Sequence, residues 1–346
     1  MNDKVLTAPA QEIRYCNTPD DVRIAYTVTG QGSPIVRAAH WLTHLEKDWE
    51  SPVWSLFLHD LSRHHRIVRY DARGTGLSQR KVPGYSFEAM LTDLETVVDA
   101  AGFEKFALLG VSQGGATAIA YALKHPERVS HIVLYGAFAR GHRFLIENES
   151  DQKLYDATMT MIAEGWGSEN PAYRHYLSGL FLPNGTAAQV RWHTELERDS
   201  ATPEMAAKIF EAVSNIDIKD MLPQVNVPVI VLHQREDRVV PFVLGQQIAA
   251  LVPGARFVPL DGTNHLFLPN EPSHQVFMRE VAKFLGDPPY KENDGFFEEH
   301  VRKLDSAVNK VEQHSVYRLF TASSRAIGIA SAIVGAISVA LVWLFG

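Results

Sequence analysis

The most constraining feature of the chain is the turn Gly110-Val111-Ser112-Gln113-Gly114, at the seam between two runs of different period. Phe106 to Val111 (FALLGV) is continuously apolar and reads as a buried strand, whereas Gln113 to Lys124 (QGGATAIAYALK) reads as a helix packed closely through small residues. A strand that becomes a helix within one residue leaves its turn residue strained, and flanking glycines remove the side chains that would collide there. Ser112 is therefore expected to stand at the carboxyl edge of a sheet, in the geometry of a nucleophile elbow. The positive end of the following helix lies beside it, so the Gln113 backbone N–H is a natural donor to a developing oxyanion.

Strands and helices alternate around this turn. Glu12 to Cys16 and Val22 to Val28 suggest an opening antiparallel hairpin, followed by strands at Pro34 to Ala39, Arg66 to Tyr70, His131 to Tyr135, Val227 to His233 and near Arg256 to Pro259. Helical spacing is read over Trp49 to Ser62, Ser86 to Ala101 and Pro272 to Leu285. The pattern predicts an α/β fold: a mostly parallel sheet with helices on both faces. Between residues 137 and 222 the alternation halts, and Leu154, Met159, Ile162, Trp166, Phe181, Trp192 and Phe210 fall at helical spacing, which predicts a helical cap over the turn.

A serine hydroxyl needs a histidine to take its proton and a carboxylate to orient that histidine. Asp237 in Arg235-Glu236-Asp237 and His265 in Gly262-Thr263-Asn264-His265 each fall just past a predicted strand, in the chain order serine, acid, histidine. The carboxyl ends of the strands share one edge of such a sheet, so the three side chains are expected to converge. Asp261 is the competing acid, but it shares the histidine's loop. The loop His40-Trp41-Leu42-Thr43 after the third strand is expected to supply a second oxyanion donor, the Leu42 backbone N–H. The glycines of Asp71-Ala72-Arg73-Gly74-Thr75-Gly76 suggest a tight path held by Asp71 and Arg73 rather than a phosphate cradle, since the run is no Walker sequence.

With these motifs the chain resembles the α/β-hydrolase family over about residues 11 to 286, on GVSQGG, DARGTGLS, REDRVVP and GTNH. The stretch WLTHLEKDWESPVW further resembles hydrolase modules associated with nucleotide cyclases or signalling regulators. The resemblance implies a serine hydrolase that cleaves a carboxylic ester, thioester or lactone through an acyl-enzyme, with no cofactor and no metal. A serine at the elbow argues against dehalogenase or epoxide hydrolase chemistry, where relatives place an aspartate. Family members commonly carry His-Gly where this chain has His40-Trp41. The alternative reading is a non-catalytic ligand-sensing or scaffold protein on the same fold.

The implied organisation is a loose start over residues 1–10, a hydrolase core at 11–136 and 223–286, a cap at 137–222, a charged amphipathic linker at 287–325 and a membrane tail at 326–346. Residues 326–346 (AIGIASAIVGAISVALVWLFG) carry no charge and as a helix would cross a bilayer core of ~30 Å. Lys303, Lys310, Arg318 and Arg325 precede that span, so a C-terminal anchor would leave the catalytic domain in the cytoplasm. Small residues four apart, from Ser324 to Ala340, and the apolar seam of the linker suit a homodimer through tail or linker. The formal charge of -7 lacks a basic cluster, which argues against nucleic acid. Cys16 is the lone cysteine, so no internal disulfide forms, and the amino terminus lacks the apolar core of a secretory signal.

Overall fold

Eight strands join in one sheet in the computed structural model, which describes residues 11–168, 170–268 and 271–290. β1 (Arg14–Asn17) and β2 (Arg23–Thr29) form the antiparallel hairpin, with Cys16 opposite Ile24. β3 (Ser33–Ala38) leads through the His40–Thr43 loop into α1 (Leu45–Trp49) and α2 (Ser55–Ser62). Of the helix expected over Trp49 to Ser62, only Ser55–Ser62 forms, and Trp49 closes the preceding α1. Pro52 has no N–H to give to a continuous helix, and the Ser51 hydroxyl accepts instead from Val53 N (3.2 Å) and Trp54 N (2.5 Å), which starts a new turn. Trp54, Phe57, Leu58 and Leu61 are all buried, so the break changes the path and keeps the expected inner face.

β4 (His65–Tyr70), α3 (Phe87–Ala101), β5 (Phe106–Val111) and α4 (Gly114–Lys124) follow. α3 begins where the Ser86 hydroxyl accepts from Ala89 N and ends at Gly102, whose φ of +69° is the left-handed conformation that stops a helix cheaply only in glycine. Every residue of β5 is buried, as a parallel strand covered on both faces requires. β6 (Val129–Tyr135) lies beside it, and then come four helices: α5 (Glu149–Gly165), α6 (Pro171–Phe181), α7 (Ala187–Ser200) and α8 (Pro203–Ser214). Their starts are locally encoded: Asn148 caps α5, Thr186 and Gln189 form a capping box on α7, and Thr202 caps α8 ahead of Pro203. A bridge between Arg140 and Asp217 joins the two ends of this insertion. Leu154, expected among the apolar contacts of the cap, is instead 65% exposed on α5, because the inner face of that helix is set by Tyr155 and Ile162.

β7 (Val229–Gln234), α9 (Phe242–Leu251), β8 (Arg256–Leu260) and α10 (Pro272–Leu285) complete the described chain. The sheet order is β1-β2-β4-β3-β5-β6-β7-β8, and every pairing from β4–β3 to β7–β8 is parallel. The carboxyl ends of β3, β5, β6, β7 and β8 therefore share one rim. Among the described residues no helix is long and apolar enough to cross a membrane. The loose start, the expected anchor at 326–346, the dimerising surfaces of the tail and nearly all of the linker lie outside the described residues.

Candidate active site

Ser112 adopts φ +51°, a left-handed conformation that costs a residue with a Cβ roughly 1–2 kcal/mol. Three glycines make that turn fit. A Cβ on Gly110 would lie 2.6 Å from Gly115 Cα, and one on Gly115 would lie 2.5 Å from Ala137 Cβ. One on Gly114 would lie 3.0 Å from the carbonyls of Ala38 and Ala39. Helix α4 thus presses against the ends of β3, β5 and β6, and Ser112 N donates to Tyr135 O at 2.9 Å. Gln113 opens α4 at its N-terminal end. Among the described residues, the N–H groups of Gln113 and Leu42, expected as oxyanion donors, make no backbone hydrogen bond outside the helices and strands.

The strand ends bring Asp237 and His265 together. Asp237 Oδ2 lies 2.7 Å from His265 Nδ1, and Asp237 Oδ1 accepts from Val239 N and Val240 N at 2.9 Å each. Two amides and one imidazole thus hold both carboxylate oxygens. His265 is fully buried, and its Nε2 has no hydrogen-bond partner among the described residues. Gly136, at φ +54° directly after the Tyr135 carbonyl that holds Ser112, packs on the same pair. A Cβ there would sit 3.1 Å from His265 Cε1 and 3.5 Å from Asp237 Oδ2. The turn after β6 is therefore the shared wall between the elbow and the acid–base pair. Asp261, the competing acid, is 95% exposed in its side chain and pairs outward with Arg235 at 3.0 Å.

Other loops brace this rim. His265 N donates to Phe181 O (2.9 Å) at the end of α6, and the Phe181 ring stands edge-on to the His265 ring at 5.4 Å. Asn264 Oδ1 accepts from Asn184 N at 2.9 Å, so the histidine loop is stitched to the cap. His233, a candidate only by residue type, hydrogen-bonds the Val240 carbonyl at 2.8 Å and supports the acid's loop from below. Among the described residues no three metal-ligating side chains gather.

The loop after β3 is held from two sides. Beneath it, Asp71 Oδ2 accepts from Leu45 N (3.3 Å) and Leu77 N (2.8 Å), tying the start of α1 to the Asp71–Ser78 loop. Arg73 is buried and bridges Asp93 (2.8 Å) and Asp20 (2.6 Å), so both charged residues of that loop are spent on internal bonds and no phosphate cradle is left. Burial pushes Asp71 up to about 7 against those N–H donors, and Asp48 up to about 6 against Arg37. His40 stacks on Trp54 at 5.1 Å and hydrogen-bonds Arg37. Burial first, then the Arg37 charge, hold it well below the usual imidazole range, so it is neutral. Above the loop, the Trp41 indole packs edge-on against Trp166 (5.9 Å) and Phe210 (5.8 Å) of the cap.

One polar group here went unread in the sequence. His193 and Glu197, one turn apart on α7, are buried beside Phe181. Their i, i+4 spacing was the available signal, but it is equally common on solvated helix faces.

The alpha/beta hydrolase fold family matches this chain over residues 44–272. The chain belongs to that family. A putative carbamate hydrolase, RutD, of Azorhizobium caulinodans is 25% identical over 276 residues, covering 77% of this chain and 96% of its own length. The RutD of Caulobacter segnis is 28% identical over 242 residues, covering 67% and 85%. Among solved structures, a hydrolase from Pseudomonas aeruginosa superposes with a TM-score of 0.65 at 25% identity, covering 80% of this chain and 98% of that one. The esterase RhEst1 from Rhodococcus sp. does so with a TM-score of 0.64 at 26% identity, covering 79% and 98%.

Proposed function

We propose that this chain is a serine hydrolase whose nucleophile, base and orienting acid are Ser112, His265 and Asp237. What supports the reading above all is the uncommitted Nε2 of a buried His265 whose Nδ1 is fixed by Asp237, across the Gly136 wall from a serine at φ +51°. A carboxylate on Nδ1 keeps the proton there, so Nε2 presents a lone pair to the serine hydroxyl. His265 takes the Ser112 proton as Oγ attacks a carbonyl, and the Gln113 and Leu42 N–H groups hold the oxyanion. The protonated imidazole then gives its proton to the leaving group, which departs to leave an acyl-enzyme. Water repeats the sequence and releases the acid.

The bond is a carboxylic ester, thioester or lactone, and the carbamate hydrolases among the relatives add the carbamate, whose carbonyl suits the same oxyanion donors. Residues 11–136 and 223–286 serve as the catalytic core and 137–222 as the cap that shapes the acyl pocket. The charge-free residues 326–346, read from sequence alone, tether the enzyme to a membrane with its core in the cytoplasm. A fluorophosphonate probe labels Ser112 in the wild type, and Ser112→Ala abolishes both labelling and p-nitrophenyl ester turnover. Equal turnover by the two proteins refutes the mechanism. Retention of the chain in a membrane pellet after carbonate washing, and its loss on deletion of 326–346, tests the tether.

A further inference from the structure

The cap holds a second acid–histidine pair that the proposed mechanism leaves unused. His193 Nδ1 lies 3.1 Å from Glu197 Oε1 and 3.1 Å from Ser178 Oγ on the neighbouring helix. The two side chains are only 2% and 4% exposed. Burying such a pair costs desolvation that hydrocarbon of equal volume would avoid, so packing alone gives no reason for it.

Its position supplies one. The Phe181 ring contacts both histidines, 5.2 Å from the ring of His193 and 5.4 Å from that of His265. The charges of His265 and His193 both weigh on His40, which sits beside the Trp41–Leu42 segment. The cap histidine is thus part of the same rim as the proposed triad. Nδ1 is hydrogen-bonded to the Ser178 hydroxyl, with Glu197 close by at ion-pair distance, and that bond orients the ring. Its Nε2 edge has no partner among the described residues. The Phe181 ring flanks it, so an acyl group that reaches this edge meets a polar contact beside an aromatic face.

We propose that His193 is a specificity-determining residue that hydrogen-bonds a hydroxyl group on the part of the substrate held beneath the cap. This rests on the serine hydrolase reading. A hydroxyl both donates and accepts, so it matches Nε2 whether or not that nitrogen carries a proton. The preferred substrates are then hydroxyl-bearing acyl compounds rather than plain hydrocarbon esters.

Two amide substitutions separate this role from a structural one, because the amide of asparagine overlays Nδ1 of histidine and that of glutamine overlays Nε2. The full-length chain is assayed on p-nitrophenyl phenylacetate and on its 3- and 4-hydroxy analogues. The wild type should favour at least one hydroxylated ester severalfold in kcat/KM. The His193→Asn variant should lose roughly tenfold on that ester, the worth of one buried hydrogen bond, and change little on the plain one. The His193→Gln variant should retain the preference. Equal loss on both esters, no loss on either, or rescue by asparagine instead of glutamine overturns the proposal. A measurement on wild type alone guards against misfolded variants: hydroxyphenylacetate should inhibit competitively severalfold better than phenylacetate, and equal inhibition overturns the assignment. A wild type that hydrolyses no ester and resists fluorophosphonate at Ser112 removes the underlying reading instead.

Discussion

Replacing Asp237 by asparagine keeps the shape of the site and inverts one hydrogen bond. Asp237 Oδ1 accepts from Val239 N and Val240 N at 2.9 Å, so the amide oxygen of the variant must stay on that side, because an NH2 group there would face two donors. The NH2 group is then turned toward His265 Nδ1, where Oδ2 now lies at 2.7 Å. A donor facing Nδ1 forces the ring proton onto Nε2, and an Nε2–H cannot accept from the serine hydroxyl. The same substitution in the serine protease triad, a worked case for this inversion, lowers kcat by about 10⁴, equivalent to ~5.5 kcal/mol of barrier. A loss of that order is expected here for Asp237→Asn in p-nitrophenyl ester turnover. Because both backbone amides remain satisfied, stability should fall by less than about 1 kcal/mol. Asp261→Asn, which removes only an exposed pair with Arg235, serves as the matched control and should leave turnover unchanged. A loss below about tenfold in a folded Asp237→Asn protein, or a comparable loss in Asp261→Asn, refutes the tautomer argument.

Three further outcomes follow from the geometry. Ser112→Gly should exceed Ser112→Ala in stability by ~1 kcal/mol in chemical denaturation, since only glycine relieves φ +51°, and equal midpoints would remove the strain. Trp41→Ala should lose ~3–5 kcal/mol, because the indole is buried between the β3 loop and the cap, and should lower kcat as well, while a change under about 1 kcal/mol would show the contact to be idle. Burial lowers His274 to about 4, so its neutral form contributes stability that is present above the ordinary histidine value of 6.5 and is lost as pH falls toward 4. On the order of 3 kcal/mol should vanish over that window in the wild type, and His274→Phe, an apolar ring placed edge-on to the Phe57 and Phe267 rings, should lack this part of the acid sensitivity in denaturation titrations.

The rim that carries the proposed triad was legible because its residues sit at positions that one-dimensional patterns mark well. FALLGV is buried at every residue, and such a strand can only read as an apolar run. Asp237 and His265 follow β7 and β8 closely, so locating those strands located the side chains. Partners across the chain were not legible, because helical spacing tells which face is apolar and says nothing of what covers it. The same periodicity that marks Ile162 as buried also marks Leu154, which faces outward. His193 and Glu197 acquire meaning only when α6 and α7 pack and Ser178 arrives beside them.

That distinction also accounts for the tryptophan at position 41, where the family commonly carries glycine. A bulky side chain in an oxyanion loop is tolerable if something outside the site takes it, and here Trp166 and Phe210 do so. The loop is then clamped between the buried Asp71, which holds Leu45 N from below, and the aromatic cap above. Glycine would give the loop no such contact, whereas tryptophan ties the segment next to Leu42 to the cap. If the proposed Leu42 donor acts as expected, contacts between substrate and cap should then appear in kcat as well as in KM.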